Sequence, residues 1–252
     1  MSTEYPNTGR LSRWEEIAEG LAIVGVQAIA SPFPFNPGQY ATLGLWGPEQ
    51  GKLVQRPMSI SSSADRLEEY EFFIRLVHGG EFTPLLWERK VGDEINIKGA
   101  KGRFQLQEDG RTCLLVASGT GLAPFISMIE TLRDRGQTRD LILLHGVSHD
   151  YDLAWRSELE ALVASGSFPL RYAGTVSRPQ NCPDWTGLTG RVESIVAAQL
   201  DEHALTPENA TIYLCGNPDM IEACRRVLLA AGVAAADIRA EQFHAPHGPR
   251  VA

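Results

Sequence analysis

The stretch Ala117-Ser118-Gly119-Thr120-Gly121-Leu122-Ala123-Pro124-Phe125 decides the fold of the second half of this chain. It follows the apolar run Cys113-Leu114-Leu115-Val116 and opens a helical pattern at Phe125, so its order is strand, glycine-rich turn, helix. Glycines let a backbone approach a ligand closely, and the first amides of a helix attract anions. The complete dinucleotide fingerprint needs Gly or Ala where this chain has Pro124. A purely structural turn and a nucleotide-binding turn therefore both fit.

From Thr112 onward, strands and helices alternate along the chain. This alternation is typical of a doubly wound parallel sheet with helices on both faces. The predicted strands are Thr112–Val116, Leu141–Val147, Phe168–Ala173, Thr211–Leu214 and Ile238–Ala240. The predicted helices are Phe125–Arg135, Leu153–Ala164, Arg191–Leu200 and Asp219–Ala231.

The first half of the chain has a different period. Short β-rich runs separated by Pro, Gly and Asp predict an antiparallel barrel or sandwich, interrupted by one helix at Thr83–Glu88 that Thr83 can cap. Residues 1–18 are expected to form a polar arm with a helical piece near Arg13–Glu19. The polar segment Gln107–Arg111 marks the boundary, which gives a β-barrel domain at 1–108 and an α/β domain at 109–252.

Composition restricts the class of protein. The chain has 252 residues, a net charge of −8 and 43% hydrophobic residues, which is typical of a globular protein and argues against nucleic acid or an anionic membrane as partner. No two of its four cysteines have C-x-x-C spacing, so the sequence predicts no metal or iron–sulfur site. Without an apolar signal or spanning segment, we expect a cytoplasmic protein, and we expect it to be a monomer.

Two motifs in the first half are candidates for chemistry. In Arg56-Pro57-Met58-Ser59, Arg56 suits a phosphate and Ser59 can offer a hydroxyl to a ring nitrogen. Gly79-Gly80-Glu81-Phe82-Thr83-Pro84 leads two glycines into a helix start, which can hold an anion. An exposed strand and a hairpin turn before a capped helix explain the same residues without a ligand.

Two further motifs lie in the second half. Ser177 and Arg178 follow a predicted strand, and together with Arg191 they suit a phosphate monoester such as the 2′-phosphate of NADP. In Cys215-Gly216-Asn217-Pro218-Asp219-Met220 a strand ends and a helix begins. Surface arginines and a small buried cysteine are the alternative interpretations.

Taken in order, these motifs resemble those of the ferredoxin–NADP reductase family, specifically its bacterial ferredoxin/flavodoxin reductases. Arg56-Pro57-Met58-Ser59 is similar to the family's Arg-x-Tyr-Ser, and Gly80-Glu81-Phe82-Thr83 to its flavin pyrophosphate turn. Gly119–Phe125 resembles the nicotinamide turn, and Cys215–Met220 resembles the Cys-Gly-x-Pro motif. The resemblance covers nearly the whole chain.

The resemblance implies FAD on the barrel and NADP(H) on the α/β domain, with hydride transfer between nicotinamide C4 and flavin N5. Catalytic roles fall to Ser59 at the flavin N5 edge, Cys215 beside the nicotinamide and Glu241 as a proton relay. The FAD residues implied are Arg56, Pro57, Met58, Ser59, Phe73, Gly80, Glu81, Phe82, Thr83, Thr120, Phe243 and His244. The NADP residues implied are Gly119, Gly121, Ser148, Ser177, Arg178, Arg191, Cys215, Gly216, Asn217, Asp219 and Met220.

Three departures from the family pattern bear on function. Met58 replaces the Tyr that stacks on the flavin, and Ser148 replaces an Arg that bacterial relatives use for the 2′-phosphate. The chain also continues past His244 as residues 245–252.

The function that the resemblance implies is electron transfer between NADP(H) and a ferredoxin or flavodoxin. Arg66, Arg89, Lys90, Lys98, Lys101 and Arg103 are candidates for a basic docking surface or simply solvated charges. The alternatives are a stand-alone NAD(P)H reductase component of an oxygenase, a free-flavin reductase and, less favoured, a non-catalytic regulatory FAD subunit.

Overall fold

The computed structural model describes residues 8–29, 31–47 and 51–243. Contacts between residues divide these into two units. The first contains the described residues up to Gln105 together with 123–134, and the second contains 106–122 together with the residues from 135 onward. A division into separate domains at 1–108 and 109–252 stays a prediction.

Six antiparallel strands form the sheet of the first unit, in the order β4-β3-β6-β1-β2-β5. A bridge between Ile60 and Phe72 joins the two edge strands, so the sheet closes into the predicted barrel. The strands are β1 (Thr8–Ala18), β2 (Leu21–Ala28), β3 (Tyr40–Trp46), β4 (Leu53–Ser59), β5 (Tyr70–Arg75) and β6 (Glu94–Lys101). Helix α1 (Phe82–Trp87) lies between β5 and β6.

The expectation of a helical piece near Arg13–Glu19 is wrong, because these residues belong largely to β1. Register shifts between Leu11 and Arg13, and between Glu16 and Ala18, interrupt the pairing of β1 with β2. Such bulges disturb the alternation of polar and apolar residues, which hides the strand from a periodicity argument.

Helix α2 (Ala123–Asp134) packs with the barrel unit through polar contacts. The buried Ser127 hydroxyl donates to the Ser62 carbonyl at 2.7 Å, and the Thr131 hydroxyl accepts from the Ala64 amide at 2.9 Å. Arg66 pairs with Glu130 and Asp134 of α2. This charge of the proposed basic docking surface is therefore already paired.

A parallel six-stranded sheet forms the second unit, as predicted, in the order β10-β9-β8-β7-β11-β12. Its strands are β7 (Thr112–Ser118), β8 (Leu141–Val147), β9 (Leu170–Val176), β10 (Leu188–Thr189), β11 (Ala210–Gly216) and β12 (Ile238–Gln242). Its helices are α3 (Arg156–Ser165), α4 (Val196–Glu202) and α5 (Pro218–Ala230). A short 3-10 turn at Val192–Ser194 takes the place of the first turn of the helix predicted at Arg191–Leu200. Another 3-10 turn at Asp150–Asp152 precedes α3, which begins at Arg156 instead of the predicted Leu153.

The amino ends of these strands are held by an ion cluster around Asp109. Its carboxylate accepts from the Thr211 hydroxyl at 2.6 Å and from Arg111 Nε at 3.0 Å, and it also pairs with Arg139. Arg111 reaches on to Asp237 at 2.6 Å. Burial alone would raise the pKa of Asp109, but these hydrogen bonds outweigh it and hold the pKa well below its usual range.

Within the described part of the chain, no helix is both long enough and apolar enough to cross a membrane. Residues 8–29, 31–47 and 51–243 also contain no group of three or more His, Cys, Asp or Glu side chains placed to hold a metal ion.

Candidate functional site

The residues predicted to hold coenzyme follow the carboxyl ends of the parallel strands. The order of strands reverses at β7, since β8, β9 and β10 continue to one side and β11 and β12 lie on the other. In open α/β sheets, ligands bind in the crevice at such a switch point. Here the switch point brings together the glycine turn after β7 and the Cys215-Gly216 end of β11.

The two glycine positions of this turn require glycine for different physical reasons. Gly119 has a φ of +51°, which favours glycine, and a Cβ on it would meet nothing within 4 Å. A Cβ on Gly121 would lie 2.1 Å from the Cys215 carbonyl oxygen. Gly119 therefore leaves open space at the switch point, whereas Gly121 lets two backbones touch. Thr120 lies half-buried between them in the 3-10 turn Gly119–Leu122.

The end of β11 is tied to the same turn. The Asn217 amide donates to the Ser118 hydroxyl at 3.0 Å, and Gly216 has a φ of +134° with Ser118 against its Cα. The Asn217 side chain caps α5 by accepting from the Asp219 amide at 2.7 Å. The sequence carries no signal for this role of the Ser118 side chain, because its partner is 99 residues away.

Cys215 is fully buried in β11, opposite Glu241 of β12. Burial, and secondarily the Glu241 carboxylate, raises the pKa of the Cys215 thiol well above its usual value. Cys215 is therefore a neutral thiol at physiological pH and not a thiolate nucleophile. The sulfur of Met220 is also buried and lies 3.5 Å from Cys224 Sγ in the core.

Beyond Cys215, Phe243 lies just past the end of β12 and is half-buried. Its amide donates to the Gly216 carbonyl at 2.9 Å. His244 and residues 245–252 lie outside the described residues.

Residues predicted for the 2′-phosphate follow β8, β9 and β10. The Ser177 amide donates to the Val147 carbonyl, and the Arg178 amide donates to the Ser148 carbonyl, both at 3.0 Å. The side chains of Arg178 and Arg191 are exposed, and neither forms an ion pair with a carboxylate in the described part of the chain. Two unpaired guanidinium groups at this edge fit a phosphate monoester.

His149, next to Ser148, is engaged by its neighbours. Its Nδ1 lies 3.5 Å from the Asp152 carboxylate, and its ring stacks on Tyr151 with centroids 4.9 Å apart. His149 is therefore not a simple replacement for the arginine that bacterial relatives carry at position 148.

On the barrel, Arg56 lies in β4 and reaches the start of α1. Its Nη2 lies 3.3 Å from the Glu81 carboxylate, and Lys52 Nζ lies 3.1 Å from the same group. The hydrogen bond and charge of Lys52, followed by those of Arg56, lower the pKa of Glu81. Lys52 and Arg56 both pair with Glu81 and remain accessible to solvent, and two cations at this position suit a phosphate group.

The Thr83 hydroxyl does not cap α1 as predicted. It is buried and accepts from the Val77 amide at 2.9 Å while donating to the Val77 carbonyl at 3.3 Å. The N-cap residue is Glu81, which makes no side-chain capping bond. Gly80 closes the preceding turn through its amide, which donates to the Val77 carbonyl at 2.8 Å.

The remaining flavin residues are spread over β4, β5 and α1. Pro57 is exposed, Met58 packs partly against the barrel core, and Ser59 is buried at the end of β4. Phe82 is a core residue, and Phe73 is buried in β5 between the core residues Phe72 and Ile74. The cofactor roles of all these residues stay predictions.

The chain matches two families of oxidoreductase domain. Residues 10–106 match the oxidoreductase FAD-binding domain, and residues 115–226 match the oxidoreductase NAD-binding domain. These matches fall on the barrel strands and on the parallel sheet, respectively.

Similar proteins include reductase components of oxygenases and flavodoxin/ferredoxin–NADP reductases. The toluate 1,2-dioxygenase electron transfer component of Pseudomonas putida is 32% identical over 93% of this chain and 67% of its own length. The flavodoxin/ferredoxin–NADP reductase of Shigella flexneri is 30% identical over 85% of this chain and 86% of its own length. A ferredoxin NADP+ reductase structure from Neisseria gonorrhoeae, with bound FAD and NADP, superposes with a TM-score of 0.81 and 25% identity, covering 95% of this chain and 99% of that one.

Proposed function

Because this chain belongs to the ferredoxin–NADP reductase family, we propose that it is an FAD-dependent oxidoreductase that transfers electrons between NADP(H) and a ferredoxin or flavodoxin. The observation that carries the proposal is the switch point of the parallel sheet. There the open space at Gly119 adjoins the Cys215-Gly216 end of β11, and the unpaired Arg178 and Arg191 lie along the same edge.

The positions of these groups suit an extended dinucleotide. Three strand spacings separate β9, which ends before Arg178, from β11, which ends at Gly216. At about 4.8 Å per spacing, the phosphate-binding end and the switch point are roughly 14 Å apart. This separation would place the 2′-phosphate and the nicotinamide of one coenzyme at different residues of the same edge.

When bound, FAD supplies the chemistry that links a two-electron donor to one-electron carriers. The protein's own residues bind and orient. Arg56 and Lys52 would hold a phosphate at the start of α1, and Ser59 would offer a hydroxyl to the flavin edge. The neutral Cys215 thiol would pack beside the nicotinamide, and Glu241 would relay a proton.

The second candidate function is that of a stand-alone reductase component of an oxygenase. One support is the similarity to the toluate dioxygenase component. The other is Ser148, which replaces the arginine used for the 2′-phosphate and so weakens the case for strict NADP specificity. A free-flavin reductase shares the same cofactor residues. A monomeric state and a cytoplasmic location are also part of the proposal, and the four free cysteines support the location.

A steady-state comparison of acceptors tests the proposal. The FAD-loaded protein is assayed with NADPH and with NADH against ferredoxin, flavodoxin, a Rieske-type oxygenase component and free flavin. We expect NADPH with ferredoxin or flavodoxin to give the highest kcat/KM. Faster reduction of the oxygenase component with NADH would favour the second function, and turnover with free flavin alone would favour the flavin reductase.

A further inference from the structure

We propose that His145 is a positioning residue that fixes the glycine turn at the coenzyme site, an inference that rests on the proposed function. His145 lies in β8, paired with Ala117 of β7 and Gly174 of β9, and it is fully buried. A titratable side chain in the middle of a sheet is costly unless it makes a specific hydrogen bond.

The hydrogen bond of His145 defines its tautomer. Its Nε2 lies 3.1 Å from the Gly119 carbonyl oxygen. A carbonyl can only accept, so Nε2 carries the hydrogen and Nδ1 of the neutral ring is bare. Nδ1 is buried and has no hydrogen-bond partner within the described part of the chain.

Protonation of Nδ1 would bury both a charge and an unsatisfied N–H. Burial therefore lowers the pKa of His145 to about 4, although the Gly119 carbonyl and the Asp152 carboxylate oppose this effect. Asp152 is itself buried, and its carboxylate accepts from the His149 amide at 3.2 Å. His145 therefore stays a neutral donor at physiological pH.

The bond to His145 fixes one peptide plane of the turn. A trans peptide directs its N–H opposite to its carbonyl, so the Thr120 N–H points away from His145 when the Gly119 carbonyl points towards it. The first N–H groups of a helix have no acceptor within it. His145 thereby holds the peptide plane that follows the left-handed Gly119, and with it the direction of a backbone donor at the switch point.

The turn has a second support on its other side. The Ser118 hydroxyl accepts from the Asn217 amide and so connects the turn to the end of β11. His145 connects the same turn to β8 through its hydrogen bond to the Gly119 carbonyl. Loss of His145 would leave the Gly119 carbonyl without its partner, although the barrel residues assigned to FAD would be unchanged.

Nuclear magnetic resonance of protein with 15N-labelled histidine tests the geometry independently of activity. We expect His145, identified by its loss in His145→Gln, to show the Nε2–H tautomer and no titration above about pH 5. An Nδ1–H tautomer, or titration near the ordinary histidine pKa, would overturn the inference whatever the protein catalyses.

Anaerobic reduction of bound FAD by NADPH tests the consequence. His145→Leu should lower the limiting rate constant about tenfold or more, with normal FAD content, because the Gly119 carbonyl loses the donor that orients it. His145→Gln, whose amide nitrogen can reach the position of Nε2, should restore most of the rate. His203→Leu, on the C-terminal end of α4, is the matched control and should behave as wild type.

Two results would overturn the positioning role. One is a wild-type rate in His145→Leu, and the other is an equal loss in the Leu and Gln variants at equal thermal stability. Failure of the wild-type FAD protein to react with either coenzyme would instead refute the proposed function, which keeps the two failures distinct.

Discussion

Replacing Gly121 with alanine should slow coenzyme oxidation without releasing FAD. The added Cβ would lie 2.1 Å from the Cys215 carbonyl oxygen, 2.5 Å from its carbon and 2.8 Å from Gly216 Cα. Ordinary contact begins at 3.4 Å, so the turn and the end of β11 must separate by about 1.3 Å (3.4 − 2.1). Both segments are backbone and cannot yield by rotating a side chain.

The expected magnitudes follow from that displacement. Overpacking of this kind costs about 1–3 kcal/mol of stability. A displacement of about 1 Å in a reacting geometry costs on the order of 100-fold in rate. The assay is stopped-flow reduction of the bound flavin by NADPH, combined with thermal unfolding and measurement of FAD content.

Gly136→Ala is the matched control. Gly136 has a φ of +62° and open space around its Cα, so alanine there should cost stability through its left-handed backbone alone. That variant should reduce its flavin at the wild-type rate. Wild-type kinetics in Gly121→Ala would refute the argument that the turn must touch the end of β11.

Three further predictions concern charge and protonation. Arg178→Ala should raise the KM for NADPH about 10- to 100-fold and the KM for NADH much less, because one charge-assisted contact to phosphate is lost. Arg226→Ala on α5 is the control. Equal losses for both coenzymes would contradict the 2′-phosphate assignment. Asp109→Asn should destabilise the protein by about 2 kcal/mol at neutral pH. Since the folded pKa of Asp109 is lowered, its contribution is present above its unfolded pKa of about 3.9 and declines as the pH falls below that value, so the difference in urea unfolding should shrink in acid. Asp184→Asn, at an exposed position, should show no such pH dependence. Cys215 should resist iodoacetamide in the native protein at neutral pH, because burial raises its pKa, and mass spectrometry that finds it alkylated before unfolding would contradict its placement.

The sequence predicts the architecture because each half of the chain has a recognisable pattern: short β-rich runs in the first half, and alternating strands and helices in the second. Parallel strands buried on both faces are near-continuous apolar runs, and their alternation with helices identified the second unit. The first strand was missed because its bulges displace Arg13 and Ala18 from a simple alternation. A short 3-10 turn replaces the helix start predicted at Arg191, and α3 begins at Arg156 instead of the predicted Leu153, since a period of 3.6 does not distinguish one tight turn from the first turn of a helix.

Within the site, motifs located the turns but not the groups that hold them. Gly119 and Gly121 look equivalent in sequence, yet one needs a left-handed backbone and the other needs contact with Cys215. Ser118 looked like an ordinary turn residue and His145 like an ordinary strand residue, because their partners depend on which strands are neighbours. Thr83 was assigned to a helix cap, whereas tertiary structure pairs its hydroxyl with Val77.

Anaerobic mixing of the FAD-loaded protein with NADPH tests the central claim most directly. We expect the visible absorbance of oxidised flavin to be lost on mixing, and oxidised ferredoxin or flavodoxin then to restore it. An FAD-loaded, folded protein whose flavin stays oxidised with both NADPH and NADH would contradict the claim that this chain is a nicotinamide-dependent flavin reductase.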